Sequence, residues 1–150
     1  MIVVIQRVNR ASVTINQKEK KDIKKGLMIL TGIGKDDDAS DIDWIAKKIV
    51  NLRIFKDEND KMNLSVKDID GEIMIVSQFT LFASTKKGNR PGFGDAALPD
   101  QAIPLYELFI SKVTELSGKK PATGEFGADM DIDMINHGPV TIIIDSKNRQ

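Results

Sequence analysis

A Ser-Gln-Phe-Thr-Leu segment places two hydroxyl side chains where an apolar run, Ile73–Val76, ends. Ser77 and Thr80 are candidate nucleophiles, and Gln78 is a candidate polar anchor. The main-chain amides of Phe79 and Thr80 are candidate donors to a developing oxyanion. Because Ser, Thr and Gln within a strand usually bond to the sheet or to solvent, the segment alone also fits an ordinary strand end. The residue types of this segment indicate a reaction at a carbonyl group, but they do not specify which reaction.

A second segment, Asn136 to Thr141, contains a Gly-Pro pair between two apolar runs that are both typical of strands. Glycine reaches backbone conformations closed to other residues, and an X-Pro bond adopts the cis form at a cost of about 0.5–1 kcal/mol. Carbonyl groups there can therefore point in unusual directions. From these residues alone, the simpler prediction is a tight turn that joins strand Met130–Ile135 to strand Val140–Asp145.

In this order and at this separation, the two segments resemble the signatures of the D-aminoacyl-tRNA deacylase (D-tyrosyl-tRNA deacylase) family, SQFTL and N-x-G-P-[VF]-T. The likeness extends over nearly the whole chain. Further matching segments are Val4–Val8, Arg10–Val13, Leu52–Phe55, Lys61–Asn63, Gly88–Pro91 and Thr123–Met130. The resemblance implies hydrolysis of the ester that joins a D-amino acid to the terminal ribose of tRNA.

The resemblance also implies how one mirror image is chosen. It assigns Ser77, Gln78, Phe79 and Thr80 to the catalytic site. It assigns four residues, Gly138, Pro139, Asn136 and Met130, to substrate binding and chiral selection, with the Gly138-Pro139 peptide in the cis form. The Gly-Pro carbonyls reach the active site of a partner subunit in a homodimer, so an L side chain is rejected by steric clash. We therefore expect D selectivity with broad side-chain tolerance, and cleavage of glycine mischarged on tRNA-Ala.

One open route to hydrolysis uses a side-chain nucleophile. Thr80 or Ser77 would attack the carbonyl, with His137 as the base and Asp129 or Asp131 orienting it. His137 is the one histidine of the chain. The family motif is variable at its position, which disfavours this route.

Two other routes need no protein nucleophile. A metal-activated hydroxide would require ligands such as Asp129, Asp131 and Asp133, but their alternation is more simply that of a solvent-facing strand edge. The resemblance favours a route in which amides near Phe79 and Thr80 hold the ester carbonyl while the adenosine 2′-hydroxyl positions a water. That route needs neither a metal ion nor a cofactor.

Binding of tRNA cannot come from bulk charge, because Lys plus Arg and Asp plus Glu both number 22. Attraction to phosphate must come from local clusters. We favour Lys86, Lys87 and Arg90, which follow the SQFTL segment closely and include Gly88, where the backbone could approach a phosphate. Two other basic clusters, Lys18–Lys25 and Lys119–Lys120, are equally typical of a solvated surface.

Composition indicates one domain, residues 1–150, of ordinary size. There is no cysteine, no apolar run of membrane-spanning length, and no signal-type apolar segment at the N-terminus. We therefore expect a soluble protein of the cytoplasm.

Periodicity predicts an α+β fold in which two helices cover a curved, mainly antiparallel sheet. The resemblance adds that the sheet is β-barrel-like, with the two main helices packed outside. Predicted elements are strands Ile2–Ile15 and Gly26–Ile33, a turn at Asn16-Gln17, and helices Ser40–Leu52 and Gln101–Leu116. Ser40 and Asp43 are the predicted capping box of the first helix. Leu105, Leu108, Phe109, Val113 and Leu116 are the predicted buried stripe of the second, which Gly118 ends.

Other functions remain open at this point. Clustered lysines would suffice for a nucleic-acid-binding module without chemistry, although the aromatic content of 5% disfavours recognition by base stacking. A structural or partner-binding β-domain would make both signature segments ordinary strand and turn. A close relative that deacylates L-amino acids would depart from SQFTL, which this chain keeps.

Overall fold

The computed structural model describes residues 1–149. Its strands are β1 (Ile2–Ile15), β2 (Glu19–Ile23), β3 (Gly26–Gly32), β4 (Phe55–Lys56), β5 (Met62–Leu64), β6 (Glu72–Ser77), β7 (Ala122–Thr123) and β8 (Met130–Asp145). Its helices are α1 (Ala39–Asn51) and α2 (Pro99–Ser117), and a short 3₁₀ turn covers Phe79–Phe82. Neither α1 nor α2 is both long and apolar enough to cross a membrane.

The long strand β1 organises the main sheet. One of its edges pairs antiparallel with β8, and the other pairs antiparallel with β3 and then with β2. Beyond β3 the sheet continues through β6 and β7, both joined in parallel. Contacts of β2 with β6 and with β7 bring the two ends of the sheet together, so the sheet curves into a nearly closed barrel. The predicted α+β fold with a barrel-like, mainly antiparallel sheet and two outer helices is confirmed.

The two parallel pairings follow from the helices. Parallel neighbours need a crossover connection, and α1 lies between β3 and β6 in the chain while α2 lies between β6 and β7. The parallel strands β3 and β6 therefore end at the same edge of the sheet, and their carboxyl ends lie side by side.

Alternating residues of the central strands build two apolar clusters. Leu27 and Ile29 of β3 pack with both helices, whereas Met28 between them packs on the opposite face, inside the barrel. Strand β6 alternates in the same way, with Ile75 on the helix side and Met74 inside the barrel. Both faces of these strands are buried, which explains their continuous apolar runs.

Helix α1 has a different cap from the one predicted. The Asp38 carboxylate accepts hydrogen bonds from the N–H groups of Ser40 and Asp41, and the Asp41 carboxylate accepts from the Asp38 N–H at 3.0 Å. The capping box is therefore Asp38 with Asp41, and the predicted pairing of Ser40 with Asp43 is wrong. Aspartate is as good an N-cap residue as serine, so the helix starts at the earlier of two suitable positions.

Asp41 also joins α1 to the C-terminal segment. It is 2% exposed and accepts a hydrogen bond from Lys147 Nζ at 2.7 Å. Burial alone would raise its pKa, but hydrogen bonds from Lys147, from the Asp38 N–H and from Ser146 outweigh burial and lower the pKa to about 2.

Helix α2 is longer than predicted, and its buried stripe agrees with the prediction at Phe109 and Val113 but not at the three leucines. Ala102, Tyr106, Phe109 and Val113 are its buried residues, whereas the predicted leucines lie at the margin of the core. Tyr106 can be buried because its hydroxyl donates a hydrogen bond to the Ile75 carbonyl at 3.0 Å. Leucine side chains have no group that could make such a bond to the sheet. Gly118 ends the helix in a left-handed conformation, as predicted.

Strand β8 corrects the predicted turn. Met130–Asp145 is one strand that runs along the whole of β1, so the Gly-Pro pair does not reverse the chain. The predicted turn at Asn16-Gln17 is confirmed, and both residues adopt left-handed conformations.

Candidate active site

The Ser-Gln-Phe-Thr-Leu segment begins at the edge where β3 and β6 end together. Ser77 is the last residue of β6, and its register partner on β3 is Thr31. The Gln78 N–H donates to the Thr31 carbonyl at 2.7 Å, which extends the parallel pairing by one bond. The segment therefore leaves the sheet from a rigid, buried position.

The 3₁₀ turn that follows provides two free donors. The N–H groups of Phe79 and Thr80 donate to no acceptor within residues 1–149, because they are the first amides of a helical turn and lack a preceding turn to bond with. The Thr80 hydroxyl donates to Gln78 Oε1 at 2.7 Å. Both amides can therefore bind an oxygen that carries negative charge, while the Thr80 hydroxyl is already used to hold the turn.

A cavity of about 310 Å³ opens beside this turn. Its lining includes Thr31, Ile33, Ser77, Gln78, Phe79, Ala97, Ala102, Tyr106, Phe126 and Met130. Most of these side chains are small, apolar or aromatic, which is typical of a pocket that encloses part of an organic ligand. Burial raises the pKa of Tyr106, so its hydroxyl stays protonated and keeps its bond to the sheet.

Phe79 stands at the exposed side of the turn and is held by a second aromatic ring. Its side chain is 55% exposed, and the Phe93 ring meets it edge-on with a centroid distance of 5.0 Å. Gly34 allows the turn to pack closely, since a Cβ there would lie 2.8 Å from the Phe82 ring. The direction of the free amides is thus fixed from both sides.

The Asn136–Thr141 segment forms a bulge in β8. Gln6 pairs with Thr141 and Val8 with Asn136, so a single β1 residue, Arg7, faces residues 137–140. We call residues 137–140 the Gly-Pro bulge. The Gly138-Pro139 peptide is cis, as the resemblance implies.

Polar side chains fasten the two ends of the Gly-Pro bulge. Asn136 Oδ1 accepts from the Val140 N–H at 3.0 Å, and Asn136 Nδ2 donates to Thr141 Oγ1 at 3.1 Å. Gln6 Oε1 accepts from both Asn136 and Thr141. The Asn and Thr at the ends of the signature hexapeptide therefore close the bulge with each other.

Arg7 supports the bulge from beneath. It is 3% exposed and donates to the His137 carbonyl at 2.9 Å and to the Ile54 carbonyl at 2.6 Å. Gly138 is required at this contact, because its φ is +129° and a Cβ would lie 2.6 Å from Arg7 Nη2. Gly138 and Pro139 themselves are exposed, so their carbonyl groups sit on a held but accessible surface.

Within one chain, the predicted site residues form two groups. Ser77, Gln78, Phe79 and Met130 line the cavity with Thr80 next to them. Asn136, Gly138 and Pro139 lie outside the cavity lining, in the bulge and at its edge.

The side-chain triad finds no support in this arrangement. Asp131 and His137 lie six positions apart on an extended strand, a separation of about 20 Å at ~3.3 Å per residue, and Asp129 is farther still. Neither Asp129 nor Asp131 of the same chain can therefore orient His137. His137 contributes its main-chain carbonyl to Arg7 instead.

The alternating aspartates lie on a solvent-facing strand edge, which was the simpler of the two predictions for them. Asp129, Asp131 and Asp133 are exposed, while Met130, Ile132 and Met134 are half-buried between them. Asp133 pairs with Arg10 at 3.0 Å. Within residues 1–149, no three His, Asp or Glu side chains come together in a metal-ligating group.

The predicted basic segment is a closed surface loop. Main-chain hydrogen bonds between Ser84 and Gly92, at 2.8 and 2.9 Å, join its two ends. Lys86, Lys87 and Arg90 are exposed on it, and Phe93, which contacts Phe79, follows directly. The loop thus carries positive charge next to the 3₁₀ turn.

Sequence reasoning missed the far wall of the cavity. Thr31, Ala102, Tyr106 and Phe126 were not singled out, because their spacing is that of ordinary strand and helix core. The available signals were a hydroxyl inside an otherwise apolar strand, Thr31, and a tyrosine among the leucines of α2.

Comparison with known proteins gives a consistent result. Residues 4–145 match the protein family described as D-Tyr-tRNA(Tyr) deacylase. The chain is 61% identical to a D-aminoacyl-tRNA deacylase of Flavobacterium psychrophilum and 58% identical to one of Cytophaga hutchinsonii, and each match covers 100% of both chains.

Two solved structures share the fold. One is described as a c-Myc DNA Unwinding Element Binding Protein and superposes with a TM-score of 0.88 at 39% identity, covering 97% of this chain and 98% of that one. The other is described as a probable eukaryotic D-amino acid tRNA deacylase, with a TM-score of 0.81 at 17% identity over 95% of this chain and 97% of that one. The second shows likeness of fold alone.

Proposed function

The chain belongs to the D-Tyr-tRNA(Tyr) deacylase family, and from this membership we propose that it hydrolyses the ester bond of D-aminoacyl-tRNA and leaves L-aminoacyl-tRNA intact. Water adds to the ester carbonyl, and the resulting tetrahedral intermediate expels the ribose 3′-oxygen, which takes up a proton. The products are a free D-amino acid and tRNA with its terminal hydroxyl restored. The 150 residues act as one deacylase domain, and the cytoplasm is the compartment in which its substrate occurs.

The free N–H groups of Phe79 and Thr80 are the observation that carries this proposal. They bind the carbonyl oxygen and stabilise the negative charge that develops on it as water adds. A fixed donor at such a position contributes about 2.7–4 kcal/mol to transition-state stabilisation. Since the amides are held by the Gln78–Thr31 bond and by packing on both sides of the turn, they need no rearrangement during the reaction.

Hydrolysis proceeds without a side-chain nucleophile. The Thr80 hydroxyl is engaged as a donor to Gln78, and no histidine lines the described cavity from which a base could act on Ser77 or Thr80. The 2′-hydroxyl of the terminal adenosine lies next to the ester in the substrate itself, and it positions the attacking water. Thr80 then supports the turn rather than forming a covalent intermediate.

Chiral selection comes from the Gly-Pro bulge of a second copy of the chain. In its own chain the bulge lies outside the cavity lining, yet it is exposed and firmly held. Exposed Ile135 and Ile143, at 45% and 68%, flank it on β8 and provide an apolar surface for association. The carbonyls of Gly138 and Pro139 then face the partner's cavity and obstruct an L side chain.

The same geometry sets the substrate range. A D side chain points away from the bulge, so its size matters little. Glycine has no Cβ to exclude, so glycine mischarged on tRNA-Ala is also removed. The loop that carries Lys86, Lys87 and Arg90 lies next to the 3₁₀ turn and binds phosphates of the acceptor end.

The proposal is tested with matched tRNAs charged with the D and L forms of one amino acid, and with glycyl-tRNA. Single-turnover release is expected for the D form and for glycine and not for the L form, in the presence and absence of a chelator. Equal release of both mirror forms would contradict the chiral mechanism. Loss of release in chelator would restore the metal-activated route.

A further inference from the structure

Thr31 carries a polar atom that the fold itself does not use. The residue is 2% exposed, and its Oγ1 is the one buried side-chain polar atom within residues 1–149 that has no hydrogen-bond partner. Buried hydroxyls almost always have partners, so an exception in an otherwise consistent core indicates a functional position.

Thr31, the residue that carries this unpaired hydroxyl, is part of the wall of the cavity. Thr31 lines it together with Ile33, Ala102 and Tyr106, and the Tyr106 hydroxyl is already bonded to the Ile75 carbonyl. The Thr31 carbonyl holds the Gln78 N–H at 2.7 Å. Thr31 is therefore a fixed polar group on a mainly apolar wall, at the strand position from which the 3₁₀ turn departs.

The cavity must bind the part of the substrate that neither the two amides nor the Gly-Pro bulge contacts. If the ester carbonyl sits on the Phe79 and Thr80 amides and a D side chain points outward, the terminal adenosine is the group that remains. Its flat base suits a cavity of about 310 Å³ whose walls are mainly small, apolar or aromatic, with Ser77, Gln78 and Asp129 as its other polar side chains. The edge of the base carries ring-nitrogen acceptors and an amino donor, and a hydroxyl can bond with either kind.

We propose that Thr31 Oγ1 forms a hydrogen bond with the base of the terminal adenosine and is a specificity-determining residue of this site. The inference rests on the proposed function, since it takes the substrate and the place of its ester from there. Through the bond, Thr31 strengthens binding of the base to the same extent in the ground state and in the transition state.

The test replaces Thr31 with Val, which removes the hydroxyl at nearly constant shape, and with Ser, which keeps it. Thr14→Val on β1, outside the cavity lining, is the matched control. For a D-aminoacyl RNA that ends in adenosine, Thr31→Val is expected to raise KM about 2- to 12-fold, the factor expected for one neutral hydrogen bond. Thr31→Ser restores KM, and kcat changes little in each variant.

A substrate series identifies the bonded group. Analogue RNAs end in adenosine derivatives that each lack one polar group of the base: the amino group, N1, N3 or N7. One analogue is expected to raise KM for the wild-type enzyme by the factor seen for Thr31→Val, and to cause no further rise in that variant. The melting temperature of free Thr31→Val is expected to be unchanged or higher, because the substitution removes a buried unpaired hydroxyl.

Three results would overturn the assignment: an unchanged KM in Thr31→Val, a KM rise that is the same for adenosine and for every analogue, or a lower melting temperature that Thr31→Ser does not restore. The proposed function is judged separately by the ratio of D to L hydrolysis in the wild-type enzyme. That ratio can fail whatever Thr31 does, and it can stand if the Thr31 assignment fails.

Discussion

Replacing Asn136 with Ala should make the enzyme accept L-aminoacyl-tRNA. The Asn136 side chain holds the Gly-Pro bulge by three hydrogen bonds, with the Val140 N–H at 3.0 Å, with Thr141 Oγ1 at 3.1 Å and with Gln6. A neutral hydrogen bond contributes about 0.5–1.5 kcal/mol, so the three together hold the bulge by roughly 1.5–4.5 kcal/mol.

Rejection by clash is only as strong as the group that resists displacement. We call the three hydrogen bonds of Asn136 the clamp. If an L side chain can displace a bulge that has lost the clamp, the barrier to hydrolysis of the L substrate falls by the free energy that the clamp contributed. At about 1.4 kcal/mol for each factor of ten, the expected gain in L hydrolysis is roughly 10-fold to 1,000-fold. Hydrolysis of the D substrate should change far less, because the amides of Phe79 and Thr80 are not part of the clamp.

The assay is single-turnover release from tRNAs charged with the D and L forms of one amino acid. Thr141→Val removes part of the clamp and should give an intermediate gain, while Asn51→Ala, at the end of α1, is the matched control. Circular dichroism and the melting temperature establish that each variant is folded. A folded Asn136→Ala enzyme that still leaves the L substrate intact would refute the clamp as the basis of selection.

Three further predictions concern catalysis, RNA binding and stability. Thr80→Ala should slow single-turnover release only about 2- to 12-fold, the value of one neutral hydrogen bond, whereas a loss beyond a thousandfold would identify Thr80 as a nucleophile. Replacing Lys86, Lys87 and Arg90 with Gln should raise KM for tRNA and flatten its salt dependence, and leave hydrolysis of D-aminoacyl-adenosine unchanged; equal losses on both substrates would contradict a phosphate-binding role. The pKa of Asp41 falls from 3.8 to about 2 on folding, so its ionised form adds roughly 2 kcal/mol of stability above pH 3.8 that is lost as the pH falls through 2. Urea unfolding between pH 2 and 6 should show the wild type losing that much more stability than Asp41→Asn, and parallel pH profiles would contradict it.

Local patterns predicted most of the fold because most of its elements bury a regular face. Strand β1, the turn at Asn16-Gln17 and the left-handed end at Gly118 all follow from residue type and spacing. The parallel pairing of β3 with β6 does not, because both strands are buried on two faces and their runs carry no alternation that would fix orientation. Orientation is decided by α1, which must cross over between them.

The Ser77–Thr80 segment was predictable as a candidate site for a similar local reason, and the rest of its cavity was not. Two hydroxyls and an amide at the end of an apolar run are visible in the sequence at Ser77–Thr80. Tyr106 and Phe126 reach the same cavity from α2 and from the segment before β8, and only the folded barrel brings them there. Their spacing in the chain is that of any buried aromatic side chain.

The Gly-Pro bulge shows why a correct motif led to a wrong element. Gly-Pro usually ends a strand, and the predicted turn used that preference. Here β1 continues past the pair on the neighbouring edge, and its hydrogen bonds resume at Gln6 with Thr141. Because β1 extends past the Gly-Pro pair on both sides, the pair forms a bulge and not a turn. The residues next to Gly138 give no indication of how long β1 is.

The separation of the two motifs in one chain has a consequence for how the enzyme can be changed. In the proposed function, the amides of Phe79 and Thr80 bind an oxygen that both mirror images of the substrate possess, so altering the turn should slow hydrolysis of both alike. In the same proposal, the bulge meets only the group that differs between the mirror images. The bulge is held by Asn136 and Arg7, which do not line the cavity. Because the two sets of contacts share no residue, rate and stereochemical choice should vary independently. A variant of the bulge that slows D hydrolysis as much as it relaxes L rejection would show that the two sites are coupled after all.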